Sequence, residues 1–476
     1  MNKLMTPRFF KLTGLAAAAL VLAGCASVDF DQAVGDANQT TSSFTGGKLA
    51  LNRTAEQRDA KAKLATDFLA KPLSADDAVQ LALANSPTVQ SMLAQSWADM
   101  SAANQAARIG NPLFTFERIT FKDELELGRL LSFGLLDLLT LPRRFAIAQS
   151  QIAQSQVQLS ASVIDQVTQT RQAWVKAVAA SQVLQYAEQI NAAAEASAEL
   201  AKRMQQVGNF NKLQRARQQV FYADSTAQLA AAQHSALAAR EELVRQLGLT
   251  DAQAMQLKLP DRLPDLPNAA RAPSQVSSAA LEQRLDVQLA RGQLDAAGKA
   301  QGLNLLTSLI DVELGVRRDT VFDNPAGTST PRRGYELGIR LPIFDWGNAR
   351  RDAMNAQSLT AANRYEGTVR SATSQLRESY SAYRTAYDVA RHYRDEVVPL
   401  RKTMAEENLL RYNGMLIGVF ELLADTRDQI SSVVTAITAY QQFWLADAAL
   451  SASMTGRPTP VMMAAPAAGS AEKPAH

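Results

Sequence analysis

Apolar residues recur every seven positions along the last third of the chain. One such series consists of Leu423, Ile430, Ile437 and Trp444. A strict seven-residue repeat predicts a helix that packs along other helices. This helix is expected to end near Leu450 and to begin after the short break NGMLIGV (413–419). An earlier helix should run from DWGNARR (345–351) to about Asn413, just before that break. The alternating segment GYELGIRLPIF (334–344) predicts a strand before them, so one strand leads into a long helical hairpin.

Short alternating runs also occur in the first half of the chain, within residues 113–141. They predict two strands of about ten residues each, a length that suits a tilted membrane strand. The two strands are expected to join near residues 122–124. A buried amphipathic helix over residues 125–141 is the alternative interpretation.

Two long helices are expected to follow these strands. The first starts at Pro142 and reaches about Val207, where Gly208 ends it, as glycine commonly does at a helix C-terminus. The second starts at Lys212 and ends at Leu247. The pattern is again that of a hairpin, with its tip near residue 208.

The segments outside the hairpins are less regular. Residues 25–72 are polar and predict a mobile or surface-wrapping arm. A helix with Ser74 as its N-cap should follow, and Pro87 should bend or restart it. Four prolines within residues 251–273 predict an extended linker.

The chain contains an internal repeat. Residues 276–300 align with residues 78–102, which indicates a duplication with a period of roughly 200 residues. The first repeat is expected to cover residues 73–250 and the second residues 274–456. Residues 457–476 are rich in Pro and Ala and predict a disordered tail.

The second repeat should carry its strands within residues 303–344, at 303–317 and 334–344. The polar stretch RRDTVFDNPAGTSTPRR (317–333) is rich in turn residues and predicts an exposed loop between them. The predicted fold class is therefore mainly α with a small β part, built from a duplicated strand pair and long helical hairpin.

The N-terminus has the pattern of a bacterial export signal. Basic residues at positions 3, 8 and 11 precede an apolar run over 15–22. The junction Leu22-Ala23-Gly24-Cys25 resembles the lipobox of lipoproteins, in which the signal is removed before a cysteine that is then acylated. Residues 1–24 are therefore predicted to be a signal peptide and Cys25 a lipid anchor, with an ordinary signal peptide as the alternative. Ala26, in place of the aspartate that resembles an inner-membrane retention signal, favours the outer membrane.

Charge and single residue types exclude several functions. The net charge is +3, and removal of the three basic residues of the signal leaves a balanced chain with no argument for nucleic acid. Cys25 is the sole cysteine, which excludes a disulfide framework. The sequence has no GxSxG, HExxH or P-loop motif, and its three histidines are far apart. We therefore predict neither an enzyme nor a metal site nor a cofactor.

The number of predicted strands limits how they can cross a membrane. Four strands cannot close a barrel, and open strand edges in lipid would leave backbone groups without hydrogen bonds. The smallest closed barrels need about eight strands. If the strands span a membrane, several chains must share one barrel, and three chains would give twelve strands.

Three motifs resemble those of TolC-type outer-membrane efflux proteins. They are LALANSPTVQ at a helix start (81–90), LPIFDWGNARR at a strand-to-helix turn (341–351) and LRYNGMLIGVFELLADTRDQ at a hairpin tip (410–429). Together with the duplicated plan the resemblance covers roughly residues 72–456, and the lipobox is similar to that of the lipoprotein branch.

The resemblance implies a homotrimer with a twelve-stranded β-barrel in the outer membrane, continued by an α-helical barrel across the periplasm. It implies a passive exit duct for drugs, organic compounds or metal ions. It also implies docking to a periplasmic adaptor and an inner-membrane pump, and contact with outer-membrane lipid.

The hairpin tips hold the candidate entrance residues. Glu421 and Asp425 lie four residues apart, and in the family acidic residues near this tip line the periplasmic entrance. This chain has Phe420 and Leu423 where the family commonly has acids, so a solvated face is the alternative. Arg215 occupies the position that matches Glu421 in the first repeat, which suggests that tips of opposite charge bridge neighbouring hairpins.

The tips are also candidate docking loops for the adaptor, because they expose apolar groups at a turn. Their residues are Gly208, Asn209, Phe210, Gly414, Met415 and Leu416. Packing within the trimer is the alternative role. Arg317, Arg318, Arg332 and Arg333 flank the predicted loop and could contact lipopolysaccharide phosphates or simply be solvated.

Two other functions compete with the efflux duct. One is a lipid-anchored periplasmic coiled-coil scaffold without a pore, in which residues 113–141 and 303–344 do not insert into a membrane. The other is the exit duct of a protein secretion system.

Overall fold

The structure is a computed structural model that describes residues 29–273, 281, 284–307, 311–323, 325–340 and 343–459. The predicted signal peptide, Cys25 and most of the predicted tail lie outside the described residues. Leu341 and Pro342 of the strand-to-helix turn lie outside them as well.

Long helices make up most of the described chain. Those before the linker are α1 (Phe30–Thr45), α2 (Ala55–Leu69), α3 (Ala75–Asn85), α4 (Pro87–Ala106), α5 (Leu135–Gln206) and α6 (Lys212–Leu247). Those that follow are α7 (Asp251–Gln256), α8 (Leu285–Thr307), α9 (Asn348–His392), α10 (Val398–Asn413) and α11 (Val419–Met454). A π-helical turn over Tyr393–Val397 joins α9 to α10. The 72 residues of α5 extend over about 108 Å at 1.5 Å per residue.

Four strands form one antiparallel sheet. They are β1 (Leu113–Phe121), β2 (Glu124–Gly134), β3 (Asp311–Asp323) and β4 (Thr328–Arg340), in the order β1-β2-β3-β4. Strands β1 and β4 are therefore the two edges of the sheet. The expectation of a mainly α fold with a small β part is confirmed.

The chain divides into two compact units. The first contains residues 95–158 and 288–368 with the start of the chain, and includes the whole sheet. The second contains residues 36–94, 159–287 and 369–476. Both hairpin tips belong to the second unit.

The core of the second unit forms where aromatic and aliphatic side chains of several helices meet. Trp174 of α5 is 2% exposed, and its indole Nε1 donates a hydrogen bond of 2.8 Å to the Leu73 carbonyl. Leu243 and Ile437 pack in the same cluster. Tyr383, Tyr387 and Phe443 form a second cluster, with ring centroids 5.6 and 5.7 Å from Phe443. Aromatic residues at this spacing stabilise helix packing beyond their area alone.

A buried ion pair fixes the start of α8. The Arg284 guanidinium is almost fully buried and donates to both Asp286 carboxylate oxygens, at 2.7 and 3.1 Å, and to the Ala372 carbonyl of α9 at 3.2 Å. Gly456, just after α11, has a φ of +89° and packs against Arg284, Leu285 and Asp286. A Cβ at this glycine would lie 2.6 Å from the Asp286 Oδ1, so only glycine fits.

A second close contact joins the end of α6 to the start of α4. Gly248 has a φ of +65° and caps α6, and a Cβ there would lie 2.4 Å from the Pro87 Cδ. The Asn85 side chain donates to the carbonyls of Leu247 and Gly248, at 3.2 and 2.9 Å. This turn therefore holds the α3–α4 junction against α6.

The predicted loop over residues 317–333 is wrong, and the N-terminal arm, which was expected to be mobile or to wrap the surface, contains two helices. Residues 30–45 and 55–69 of the arm are helical, and α2 begins with a capping box between Thr54 and Gln57. Residues 317–333 are not an exposed loop, since β3 continues to Asp323 and β4 begins at Thr328. Turn residues do occur there, but cross-strand pairing extends both strands almost to the turn.

The boundaries between strands and helices also differ from the expectation. The strand pair within residues 113–141 ends at Gly134, and α5 begins at Leu135 rather than at Pro142. The alternative helix over 125–141 is therefore wrong for residues 125–134. Residues 303–307 were expected in a strand and belong to the end of α8.

Candidate functional site: the sheet and the hairpin tips

One face of the sheet carries a network of charges centred on Arg317 of β3. Its guanidinium donates to Glu117 of β1 at 3.0 Å, to Asp319 of β3 at 2.7 Å and to Glu336 of β4 at 2.9 Å. Gly128 of β2 leaves room for it, because a Cβ there would lie 3.3 Å from the Arg317 Nη2. A network of this kind stabilises strand register better than isolated surface ion pairs do.

The opposite face of the sheet is apolar near the helices. Successive strand residues alternate between faces, and this face presents a row of Phe114, Leu131, Val316 and Tyr335 across the four strands. These side chains are exposed, Tyr335 at 83% and Phe114 at 61%. We call this side the apolar face, and the side with Arg317 the charged face. Exposed apolar patches of this kind mark a membrane or partner surface.

The two hairpin tips have unusual backbone geometry. Gly208 ends the first hairpin helix with a φ of +81°, and Asn211 caps α6 by accepting from the Gln214 amide at 2.8 Å. Met415 has a φ of +59°, which is uncommon for a residue other than glycine. Met415 and Leu416 are 93% and 73% exposed. A strained backbone that presents apolar side chains to solvent is typical of a functional loop.

Aromatic contacts connect the two tips of one chain. The rings of Phe210 and Phe420 lie 4.6 Å apart between centroids. Further along the chain from the tips, the Arg427 guanidinium of α11 lies 5.1 Å from the centroid of the Phe221 ring of α6. Both contacts join α11 to the first hairpin, so they resist separation of the tips. No local sequence pattern indicates these contacts, because they join positions about 200 residues apart.

The structure separates the two predicted entrance acids. Glu421 is exposed in the first turn of α11. Asp425 is half-buried and accepts a hydrogen bond from the Asn408 side chain of α10. Asp425 therefore holds the second hairpin together, whereas Glu421 is open to solvent.

Arg215 is exposed and donates to the Gln205 side chain, at 2.8 Å, within the first hairpin. Among the described residues Arg215 and Glu421 form no ion pair with each other. The predicted bridge between oppositely charged tips is thus not made within one chain, and it stays a prediction for hairpins of different chains.

A cluster of charges also lies among the packed helices of the second unit. The Arg271 guanidinium lies 2.8 Å from the Asp447 carboxylate of α11. Burial raises the pKa of the Asp447 carboxyl, and the guanidinium groups of Arg271 and Arg171 oppose that rise. Arg171 also donates to the Phe44 carbonyl at 2.9 Å, so the N-terminal helix α1 is tied to this cluster.

In the described ranges, no group of three or more His, Cys, Asp or Glu residues could hold a metal ion. None of the helices described has both the length and the hydropathy to cross a bilayer.

Comparison with known proteins agrees with this architecture. Residues 276–405 match the model of the family described as outer membrane efflux protein, a family of channels and not of enzymes. No curated protein matches the chain.

Several solved structures share the fold. One is a membrane protein from Pseudomonas aeruginosa, with 20% identity, 80% of this chain and 93% of that chain covered, and a TM-score of 0.65. Another is the CmeC outer membrane channel of Campylobacter jejuni, with 15% identity, 84% and 86% covered, and a TM-score of 0.64. A third is the outer membrane protein VceC of Vibrio cholerae, with 16% identity, 80% and 96% covered, and a TM-score of 0.63. The resemblance to TolC-type outer-membrane proteins is confirmed.

Proposed function

We propose that this chain, whose residues 276–405 match the outer membrane efflux protein family, is the outer-membrane channel of a tripartite efflux system. Drugs, organic compounds or metal ions delivered by a pump leave through it passively. The observation that carries the proposal is the four-stranded sheet, which has two open edges and an exposed apolar face.

The open edges argue for assembly with other copies. Strands in lipid must hydrogen-bond every backbone group, so β1 and β4 each need a partner strand. Three copies joined β4 to β1 make a closed barrel of twelve strands, an even number above the minimum of about eight. The charged face then lines the lumen and the apolar face contacts outer-membrane lipid. The helical hairpins of the three copies form the α-helical barrel that crosses the periplasm.

The remaining parts of the chain fit this assembly. Residues 1–24 are removed as the signal peptide, and acylated Cys25 adds a lipid anchor to the barrel. Two membrane attachments make anchoring stable where a single acyl chain would be reversible. The repeats over 73–250 and 274–456 are joined by the linker over 251–273.

The hairpin tips face the periplasm in this assembly and meet the adaptor protein and the inner-membrane pump. Met415 and Leu416 supply exposed apolar contacts, and Gly208, Asn209 and Gly414 shape the two turns. Glu421 is the open carboxylate at the entrance, and Arg215 provides the opposite charge on the other tip. A ring of three Glu421 side chains would attract cations to the entrance.

The first test is the protein mass of the detergent-extracted chain, measured by light scattering with the detergent subtracted. A trimer that detergent alone releases from membranes is the expected result. A monomer that leaves the membrane without detergent once Cys25 is replaced by Ala would contradict the proposal and support the pore-free scaffold.

Phe210→Ala is expected to raise the conductance of the channel in a planar bilayer. The aromatic contact with Phe420 contributes about 0.5–1.5 kcal/mol, so its loss shifts an open–closed equilibrium by roughly two- to tenfold. The matched control is Val207→Ala, since Val207 is 71% exposed at the same tip. Equal conductance of the wild type and both variants would show that the contact does not restrict the entrance.

A further inference from the structure

Neighbouring arginines of the sheet point to opposite faces. Arg317 lies on the charged face with acids at 2.7–3.0 Å, and the Arg332 Nη1 lies 3.9 Å from Glu126 on the same face. Because strand residues alternate, Arg318 and Arg333 lie on the apolar face. The four arginines around the β3–β4 turn therefore form two pairs with different surroundings.

The register of the sheet adds a third arginine in line with this pair. Arg318 and Arg333 are directly paired across β3 and β4. In strands β2 and β3, Leu127 pairs with Thr320 and Leu130 with Arg317. The same register places Arg129 opposite Arg318 on the same face. We call Arg129, Arg318 and Arg333 the basic row. It crosses three strands and spans about 10 Å at 4.8 Å per strand.

The basic row has no acid to balance it. Within the residues that the structure describes, none of its members forms an ion pair, and Arg318 and Arg333 are exposed. Like charges placed directly opposite each other destabilise a sheet. In contrast, Arg317 and Arg332 on the charged face both form ion pairs with carboxylates. An anion from outside the chain would relieve the repulsion within the basic row.

The surroundings of the row indicate what carries that anion. On the side toward the helices, the next row of the apolar face is Phe114, Leu131, Val316 and Tyr335. On the side toward the hairpin turns, the face is mixed: Arg118, Thr120, Thr320 and Ser329 lie among Leu125, Leu127, Phe322 and Pro331. Cations at the end of an exposed apolar band lie at the level of lipid headgroups in a membrane strand.

We infer that the basic row binds the phosphate groups of a membrane lipid in the leaflet that surrounds the hairpin-turn end of the sheet. The inference rests on the proposed function, which places the apolar face in lipid. Guanidinium groups bind phosphate oxygens through two parallel hydrogen bonds, and a row of three can hold two phosphates of one headgroup. The acyl chains of the same lipid then pack on the neighbouring apolar row of Phe114, Leu131, Val316 and Tyr335.

The test is a titration of the detergent-extracted, full-length protein with diphosphorylated lipid A, with bound lipid counted by native mass spectrometry. Arg333→Gln is expected to weaken lipid binding about fivefold, the effect of one cationic contact at an anionic membrane surface. Arg332→Gln is the matched control, because it removes the same charge from the neighbouring residue on the charged face. The affinity of the Arg332→Gln variant for lipid A should stay within about twofold of the wild-type value.

Dephosphorylated lipid A separates phosphate binding from acyl packing, and it should bind the wild type and Arg333→Gln alike. Equal weakening by Arg332→Gln and Arg333→Gln would overturn the inference, and so would equal binding of both lipids to the wild type. Displacement of the lipid by millimolar inorganic phosphate would also overturn it, since free phosphate would then be the ligand. Each of these three results would overturn the lipid site alone if the detergent-extracted protein is still a trimer. A monomer that binds no lipid would refute the proposed function as well.

Discussion

Arg284→Met is expected to lower the free energy of unfolding of the second unit by about 3–5 kcal/mol. The guanidinium is almost fully buried, and its loss leaves the Asp286 carboxylate without its ion-pair partner and removes a hydrogen bond to the Ala372 carbonyl. A buried charge without a partner costs much more than the ion pair itself contributes. The measurement is the urea midpoint for loss of protease resistance of the full chain.

The double variant Arg284→Met/Asp286→Leu is the control for this prediction. It removes both charges, so it should recover a large part of the stability that the single variant loses. An unchanged urea midpoint for Arg284→Met would show that Asp286 finds another partner, and the account of this ion pair would be wrong.

Gly248→Ala is expected to destabilise the chain by about 2–4 kcal/mol. The residue has a φ of +65°, and a Cβ there would lie 2.4 Å from the Pro87 Cδ and 2.7 Å from the Ser86 Cα. The backbone conformation and the overlap both oppose a side chain, so the α3–α4 junction must move away from α6. The urea midpoint measures this loss as well.

Gly208→Ala provides the matched control. Gly208 has a φ of +81° but no heavy atom within 4 Å of the position of a Cβ. It should therefore cost only the backbone part, about 1 kcal/mol. Equal losses for Gly248→Ala and Gly208→Ala would show that the close approach to Pro87 is relieved at no cost.

The sequence pattern predicts these two glycines as helix ends but not their different surroundings. Leu247 and Gly248 end α6 where the apolar pattern stops, and Lys212 begins it after the first tip. The contact with Pro87 joins residues far apart in the chain, and no local pattern indicates it. Propensity and periodicity therefore give the ends of helices, whereas tertiary contacts decide which glycine is irreplaceable.

Strand length was harder to predict than strand position. Turn residues between 317 and 333 suggested a long loop, but β3 continues to Asp323 and β4 begins at Thr328. Charged residues that look like loop residues, such as Arg317, are paired across strands instead. Their partners come from β1 and β4, so their role becomes visible only when the sheet is assembled.

The helices of the N-terminal arm could not be predicted from the local sequence pattern. The polar sequence of the arm predicted a mobile or surface-wrapping arm without naming helices, yet α1 and α2 form because a few apolar residues pack against other parts of the chain. Phe44 is buried, and its backbone carbonyl accepts from Arg171 of α5. Leu69 packs in the cluster around Trp174. Sparse apolar residues suffice for a helix when an existing surface receives them.

The candidate site could be located from sequence but not resolved into roles. The motif around Gly414 identified the second tip, and Glu421 and Asp425 were indistinguishable there. Only the structure shows that Asp425 is tied to Asn408 while Glu421 is free of such a bond. The division of the sheet arginines between the two faces likewise depends on register, which a single sequence does not specify.

The two open strand edges have a genetic consequence. In the proposed trimer, β4 of each copy pairs with β1 of the next, so one copy with a defective edge prevents closure of the whole ring. If wild-type and defective chains were made in equal amounts and mixed at random, only about one trimer in eight would be free of the defective chain. Edge-strand alleles should therefore be dominant over the wild type, whereas alleles that unfold the chain before assembly should be recessive.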